Sequence, residues 1–346
     1  MKPTAIYSPE PAKGWLPWGA LAPFLCVLIV ALPTVGVSSV EQHFQLMDAR
    51  GNPTGFPGLC SLLLADFSAV GLVLLAWVRL VERRSVTTIG LGLPSRRART
   101  FLTGLAIGLA TSFSVVAAIW SAGGYRAAGF AKAFASPGAL LKIGFLLLCF
   151  AVQSSVEEIL FRGWLLSAVA RKLNVIFGVA LTSIVFMLLH YGPGQHWSVM
   201  VGTFLFSLFA CAWALKTGDI WGVMGWHAGW NWLLAVGFEV PVTGLDSHLP
   251  ALLVKLTPIG PDSLTGGAQG PEGSFLCSLF FAGASAILLW QKLRKGEPRT
   301  PRHECDAADG VRPLLREGGG EAGSRGVHPG ALHSDGAEEG GSAPPA

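Results

Sequence analysis

Charged side chains are scarce in this chain. Asp, Glu, Lys and Arg make up only 13% of its 346 residues, whereas an ordinary soluble domain carries roughly a quarter. Hydrophobic residues make up 51%, and the mean hydropathy is +0.51. This composition excludes a soluble globular enzyme and a disordered protein. The formal net charge of only +4, without a basic patch interleaved with aromatic residues, also argues against nucleic acid as a partner.

Several sequence signatures of catalysis and metal binding are absent as well. The chain contains no CxxC pair, no HExxH and no GxSxG segment. Five of its six cysteines lie in apolar stretches, and the sixth, Cys305, lies near the C-terminus. We therefore expect free thiols rather than a cysteine metal site. We also find no internal repeat.

The sequence is rich in apolar stretches of bilayer length, for which about 20 residues suffice. These stretches are continuous and lack a period-two alternation, which favours helices over barrel strands. We therefore predict an all-α, polytopic integral membrane protein with about eight transmembrane helices. The predicted spans are residues 15–37, 56–78, 101–120, 139–171, 175–190, 197–215, 220–238 and 275–290.

Basic residues cluster in alternate loops of this arrangement. Dense clusters follow the second and eighth spans, and smaller ones follow the fourth and sixth. By the positive-inside rule, both termini are cytoplasmic, and we expect an integral protein of the cell (plasma or inner) membrane. Residues 1–138 then hold the first three helices, and 139–238 hold a core of helices four to seven. Residues 239–296 hold an external loop and the eighth helix, and 297–346 are predicted to be a disordered cytoplasmic tail.

A few ionisable side chains lie inside the predicted spans, where charge is expensive and marks a functional site by default. Glu158 and Arg162 are four residues apart on a helix and should form an ion pair. Glu157 points elsewhere without a local partner, which suits a general base. Asp66 could support the site from a neighbouring helix or extend towards an arginine of the basic loop. A purely structural salt-bridge cluster is the alternative for the charges of the fourth span.

Two histidines and an asparagine complete the set. If the chain turns near residue 173, Glu157 and His190 are each about 16 residues, or roughly 24 Å, from the turn and lie level on antiparallel helices. His227 and Asn231 are four residues apart, share a helix face and reach a similar depth. Glycines beside these two residues let neighbouring helices approach closely.

These side chains match the requirements of amide hydrolysis by water. Glu157, helped by His190, would take a proton from water, and His227 and Asn231 would donate hydrogen bonds to the oxyanion of the tetrahedral intermediate. Two other interpretations stay open. Glu157, His190 and His227 could instead hold a zinc ion. The protein could also be non-enzymatic, either a proton-coupled transporter with a Glu/His relay or an interaction scaffold.

Three short motifs stand in order along the predicted core: Glu157-Glu158-x-x-x-Arg162, Phe186-x-x-x-His190 and His227-x-x-x-Asn231. Together they resemble the motifs of the CPBP family (ABI, or CAAX-protease-and-bacteriocin-processing) of intramembrane endopeptidases, which includes the type II CAAX prenyl endopeptidases. The resemblance covers about residues 139–238. It implies an eight-helix membrane protease with a cavity inside the bilayer.

The resemblance also implies roles and partners. Glu157 and His190 would activate water, His227 and Asn231 would form the oxyanion hole, and Glu158 with Arg162 would support them. The family was formerly labelled a zinc metalloprotease, and the glutamate-type mechanism favours no cofactor. Membrane lipids would surround the protein, and its substrate would be a peptide or protein that is prenylated or carries a leader peptide or sorting signal.

Overall fold

Helices make up most of the protein, as predicted. The computed structural model describes residues 4–92, 94–192, 195 and 197–296. Within these residues, eight helices lie at the positions of the eight predicted spans. They are α1 (Ala22–His43), α2 (Gly55–Val81), α3 (Arg97–Ser121), α4 (Pro137–Lys172), α5 (Val175–Leu189), α6 (Trp197–Thr217), α7 (Trp221–Trp232) and α8 (Phe275–Gly296). The predicted tail, residues 297–346, lies outside the described residues.

Five of these helices, α1, α2, α3, α4 and α6, are long and apolar enough to cross a membrane. Helices α5 and α8 also contain apolar stretches, but these are shorter. Helix α7 has 12 residues and continues through a π-helical turn, Leu233–Gly237. The prediction of a helical protein with several membrane spans is therefore confirmed. The count of eight spans and the cytoplasmic termini stay predictions.

Helix α1 begins seven residues later than the sequence pattern predicts, at Ala22 rather than at residue 15. Pro23 lies in its first turn, where the missing N–H and fixed backbone angle of proline suit a helix start. The residues before it are held by another element. The backbone N–H groups of Gly14 and Trp15 donate to the carbonyls of Glu82 and Val81 over 2.9 and 3.1 Å. The apolar start of the predicted span is therefore not helical, and its first residue is bound to the end of α2.

The turn predicted near residue 173 lies between α4 and α5. The Asn174 side chain caps α5, because its Oδ1 accepts hydrogen bonds from the backbone N–H groups of Ile176 (2.9 Å) and Phe177 (3.1 Å). At the other end of α4, the Ser136 hydroxyl accepts from the N–H of Ala139 at 3.3 Å. These two caps fix the residues at which α4 and α5 begin.

Helix α4 is 36 residues long, which exceeds a ~30 Å hydrocarbon core at 1.5 Å per residue. It runs without a break but contains a π-helical turn, Ile159–Leu165, directly after the Glu157-Glu158 pair. Such turns are frequent at functional positions of helices. This turn therefore marks the same part of α4 as the buried charges.

Helices α3 and α7 are in direct backbone contact. A Cβ atom added at Gly108 of α3 would lie 2.1 Å from the carbonyl oxygen of Trp226, and one added at Gly225 of α7 would lie 1.9 Å from that of Phe101. Only glycine fits at these positions. The contact holds α7, which carries His227 and Asn231, firmly against α3, as expected for small residues between membrane helices.

The prediction of an all-α protein is wrong in one detail, since a small antiparallel sheet is present. Strand β1 (Tyr125–Phe130) pairs with β2 (Val254–Pro258), with Tyr125 opposite Pro258, Phe130 opposite Val254 and a bulge between Ala127 and Gly129. The predicted loop after α7 is therefore partly ordered. Its Pro/Gly-rich composition masked a five-residue strand whose partner lies far away in the sequence.

Candidate active site

The two adjacent glutamates of α4 are both buried, Glu157 with 7% and Glu158 with 0% of its surface exposed. The predicted ion pair is present: Arg162 Nη1 donates to Glu158 Oε1 at 3.0 Å, and both side chains are fully buried. The Arg162 guanidinium also lies over the ring of Phe186, 4.4 Å from its centroid, a cation–π contact. The pair thus joins α4 to α5 beneath the site.

Glu158 has a second partner that the sequence pattern did not indicate. Its Oε1 lies 2.8 Å from Nδ1 of His227 on α7. A carboxylate that is paired with an arginine can only accept, so the imidazole Nδ1 carries the proton of this hydrogen bond. The other ring nitrogen, Nε2, then faces away from Glu158. A hydrogen bond of this kind fixes both the orientation and the tautomer of a histidine.

Glu157 has one engaged and one open oxygen. Its Oε1 accepts a hydrogen bond from Gln153 Nε2 at 2.8 Å. Its Oε2 is buried without a hydrogen-bond partner among the described residues, and it lies 3.9 Å from His227 Nε2. This separation is too long for a hydrogen bond. The unpartnered oxygen and the imidazole nitrogen therefore lie next to each other without a hydrogen bond between them.

Gln153 is a site residue that the sequence analysis missed. Its Nε2 donates to Glu157, and its Oε1 accepts from Asn231 Nδ2 at 3.1 Å and from the Ser154 hydroxyl at 3.0 Å. It therefore links the glutamate of α4 to the asparagine of α7. A signal for it is present in the sequence, because an amide four residues before Glu157 shares the helix face of this glutamate.

His190 lies directly after α5. Its Nδ1 donates to the carbonyl of Phe186 at 2.8 Å, and its ring stacks on the Phe186 ring with centroids 4.2 Å apart. A carbonyl only accepts, so Nδ1 carries a proton and Nε2 is left for another partner. His190 and Glu157 line one cavity of about 260 Å³. Glu157 and His190, which we predicted to lie level, thus line a common cavity. The imidazole that lies 3.9 Å from Glu157, however, is that of His227.

A smaller cavity of about 30 Å³ lies against both histidines, which is room for about one water molecule. Residues of the loop after α7 complete its wall, among them Thr243 and Glu272. Glu272 accepts hydrogen bonds from Trp230 Nε1 at 3.0 Å and from the N–H and hydroxyl of Thr243 at 2.8 and 2.7 Å. This loop glutamate, which the sequence analysis also missed, therefore fastens the loop to α7 beside the site.

Asp66 of α2 lines the larger cavity together with Glu157 and His190. It is 5% exposed, and its Oδ1 has no hydrogen-bond partner within the described part of the chain. Of the two positions that we expected for it, the structure shows the one beside the site. It forms no ion pair with a described arginine.

The residues of the site do not fit a zinc ion held by three protein ligands, which is the arrangement of catalytic zinc sites. Among the described residues, no group of three His, Cys, Asp or Glu side chains is placed to hold a metal. The alternative set of Glu157, His190 and His227 thus does not form such a group.

Comparison with known proteins agrees with the sequence motifs. The family model described as type II CAAX prenyl endopeptidase, Rce1-like, matches residues 139–233, which include the two glutamates, Arg162, both histidines and Asn231. No curated protein and no solved structure matches the chain. The match points to a peptidase of the CAAX-protease type in a membrane setting. The resemblance seen in the sequence is thereby confirmed: residues 139–233 are similar to the Rce1-like, type II CAAX prenyl endopeptidase family.

Proposed function

We propose that the protein is an intramembrane endopeptidase in which Glu157 activates a water molecule to hydrolyse a peptide bond. The observation that carries this proposal is the open Oε2 of Glu157, which is buried, unpartnered within the described chain and 3.9 Å from His227 Nε2. A buried carboxylate in a membrane helix is energetically costly, and such a residue marks a functional site by default. Its other oxygen is held by Gln153, which fixes the direction of the open one.

Glu157 and His190 are proposed to hold and activate the water. Both line the larger cavity, and the His190 Nε2 is free of the contact that engages Nδ1. Glu157 accepts a proton from the water as the water oxygen attacks the carbonyl carbon, and then passes this proton to the leaving amine. Such general base catalysis contributes about 10²–10⁴-fold to a rate.

His227 and Asn231 are proposed to stabilise the oxyanion that forms in this attack. His227 Nε2 lies 3.9 Å from the unpartnered oxygen of Glu157, so a carbonyl that is attacked beside this pair directs its oxygen towards the imidazole. When the ring carries protons on both nitrogens, Nε2–H donates to the oxyanion, and the Glu158 carboxylate at Nδ1 balances the positive charge. Asn231 Nδ2 donates one N–H to Gln153, and its second N–H remains for the oxyanion.

Glu158 acts in this scheme as a positioning residue. It does not reach the reacting atoms but holds His227 by Nδ1 at 2.8 Å and Arg162 at 3.0 Å. The carboxylate of a Ser-His-Asp triad has the same role: it orients the catalytic histidine and stabilises the charged form of that histidine.

The proposed substrate is a peptide or protein held in or at the membrane. The matching family is named for prenyl endopeptidases, so a prenylated C-terminal peptide is the first substrate to test. The larger cavity is lined mainly by apolar side chains, which suits a lipid-modified or hydrophobic peptide. Unprenylated leader peptides and sorting-signal peptides are the comparison set.

The proposal is tested with the purified full-length protein in detergent. Wild type, Glu157→Gln and His190→Ala are incubated with a peptide library that contains prenylated and unprenylated members, and cleavage sites are read by mass spectrometry. We expect wild type to cleave at defined bonds and both variants to lose this cleavage. Equal cleavage by wild type and both variants would show that these residues are not catalytic. Metal analysis before and after chelation accompanies the assay, and loss of stoichiometric zinc together with activity would contradict the metal-free scheme.

A further inference from the structure

Asp66 is a buried acid beside the site that the proposed mechanism does not use. Only 5% of its surface is exposed, and its Oδ1 has no hydrogen-bond partner in the part of the chain that the structure describes. It is the last residue of a π-helical turn in α2, Leu62–Asp66, and such turns are frequent at functional positions. An unpaired acid inside a membrane helix is costly to keep. These features call for a ligand of Asp66.

The cavity that Asp66 lines has a distinct charge pattern. Its volume of about 260 Å³ compares with ~30 Å³ for one water molecule, so it accommodates a group several times larger. Asp66 and Glu157 both contribute carboxyl groups to its wall, and His190 contributes an imidazole. No lysine or arginine is among the described residues that line it. The cavity therefore favours a positively charged guest.

Thr34 of α1 adds a further acceptor to this wall. Its hydroxyl donates to the carbonyl of Val30 at 2.8 Å, which commits its only proton and leaves its oxygen lone pairs for a donor. A group with several N–H donors can therefore be bound by Asp66 and Thr34 together. An ammonium or a guanidinium has this property, whereas a carboxylate has none.

We propose that Asp66 binds a positively charged side chain of the substrate, an ammonium or guanidinium, close to the bond that is cleaved. The inference rests on the proposed function, because it is Glu157 on the same cavity wall that makes this cavity the place of reaction. A cation paired with a buried carboxylate interacts strongly in surroundings of low dielectric. Asp66 is thus a specificity residue that selects lysine or arginine near the scissile bond and repels an acidic residue there.

The test uses peptides that differ at a single position. Each set carries Lys, norleucine or Glu at one position near a cleaved bond, and kcat/KM is measured with wild type, Asp66→Asn and Asp66→Glu. For at least one position, wild type should prefer Lys over norleucine by about tenfold or more, since norleucine leaves the buried carboxylate without its charged partner. Asp66→Asn should bring this ratio close to one, and Asp66→Glu should restore part of it. Asp48→Asn, in the loop before α2, is the control and should keep the wild-type ratio.

A binding measurement separates this inference from the proposed function. The Glu157→Gln protein and the Glu157→Gln, Asp66→Asn double variant are titrated with the same fluorescent Lys and norleucine peptides. Tighter binding of the Lys peptide that disappears in the double variant supports the inference even if neither protein nor wild type cleaves. Equal binding of both peptides to both proteins overturns it, whatever cleavage shows. An unchanged Lys preference in Asp66→Asn would also overturn it.

Discussion

The Glu158 carboxylate of α4 holds the His227 imidazole of α7 by a hydrogen bond of 2.8 Å to Nδ1. The same oxygen also accepts from Arg162 at 3.0 Å. Each of the two adjacent glutamates therefore has a buried oxygen without a partner among the described residues. Glu158 holds a histidine and an arginine through its other oxygen, whereas the unpartnered oxygen of Glu157 lies 3.9 Å from His227 Nε2. These contacts support the proposal that Glu158 positions His227 and that Glu157 is the reactive carboxylate.

Replacing Glu158 by Gln should lower both stability and kcat. The Arg162 charge would be buried without its partner, which costs about 3–5 kcal/mol, and His227 would lose the acceptor that balances its positive charge. We expect a lower thermal midpoint and a kcat per folded protein reduced by about 10²-fold, the scale of losing an oxyanion donor. Both are measured on the same detergent preparation.

The matched control for this variant is Glu82→Gln. Glu82 is also fully buried and pairs with Arg84 at 2.7 Å, but this ion pair lies outside the proposed catalytic set. The Glu82→Gln substitution should lower the thermal midpoint without changing kcat per folded protein. If Glu158→Gln and Glu82→Gln affected kcat alike, Glu158 would be a structural residue only.

Replacing Gln153 by Leu should impair catalysis more than folding. The change removes the donor to Glu157 Oε1 and the acceptor of Asn231 Nδ2, so both side chains lose their fixed orientation. We expect kcat to fall by about tenfold, which is 1.4 kcal/mol in the barrier, with KM changing less. Ser154→Ala removes only the neighbouring hydrogen bond to Gln153 and should retain most of the activity. An equally active Gln153→Leu variant would contradict the proposed linkage.

Replacing Gly108 by Ala should destabilise the contact between α3 and α7. The new methyl group would lie 2.1 Å from the carbonyl oxygen of Trp226, so the helices must separate, at a cost of about 1–3 kcal/mol. Gly144→Ala on α4 is the control, because its Cβ meets nothing within 4 Å and alanine favours a helix. Thermal unfolding followed by tryptophan fluorescence should show a lower midpoint for Gly108→Ala alone.

Replacing Glu272 by Ala should loosen the loop beside the site. The side chain binds Trp230 of α7 and Thr243 of the loop, and hydrogen bonds to a charged group contribute about 1.5–3 kcal/mol. Trypsin cleavage after Lys255 of β2 should become about tenfold faster, because cleavage follows the population of the open loop. Asp246→Asn, an exposed loop change, should leave the cleavage rate as in wild type. An unchanged rate in Glu272→Ala would show that this residue does not hold the loop.

Local features of the fold could be predicted from the sequence. The Glu158–Arg162 pair is set by four-residue spacing on one helix, and the Asn174 cap sits where the polar break predicts a turn. Contacts between distant segments could not be predicted. His227 is 69 residues from Glu158, and the pairing of β1 with β2 joins two strands that are separated in the sequence by the four helices α4 to α7.

Counting basic residues in the sequence has a similar limit, because it does not show which of them are buried. Arg84 belongs to the basic cluster that orients the chain by the positive-inside rule, yet it is 1% exposed and paired with Glu82. Composition assigns such a residue to a loop, whereas its burial depends on how the end of α2 packs against Trp164 and Ser167 of α4. These long-range contacts and the burial of Arg84 depend on tertiary packing, which a local sequence pattern does not show.

The central claim is that Glu157 activates the attacking water, and its most direct test is the ratio of two cleavage rates. Single-turnover cleavage of one identified peptide is measured with wild type and Glu157→Gln in the same liposomes, normalised to folded protein. Glu41→Gln, a buried glutamate of α1 that accepts from Ser61, is the matched control and should cleave like wild type. We predict that Glu157→Gln is at least about 100-fold slower. A Glu157→Gln rate equal to that of wild type would contradict the account.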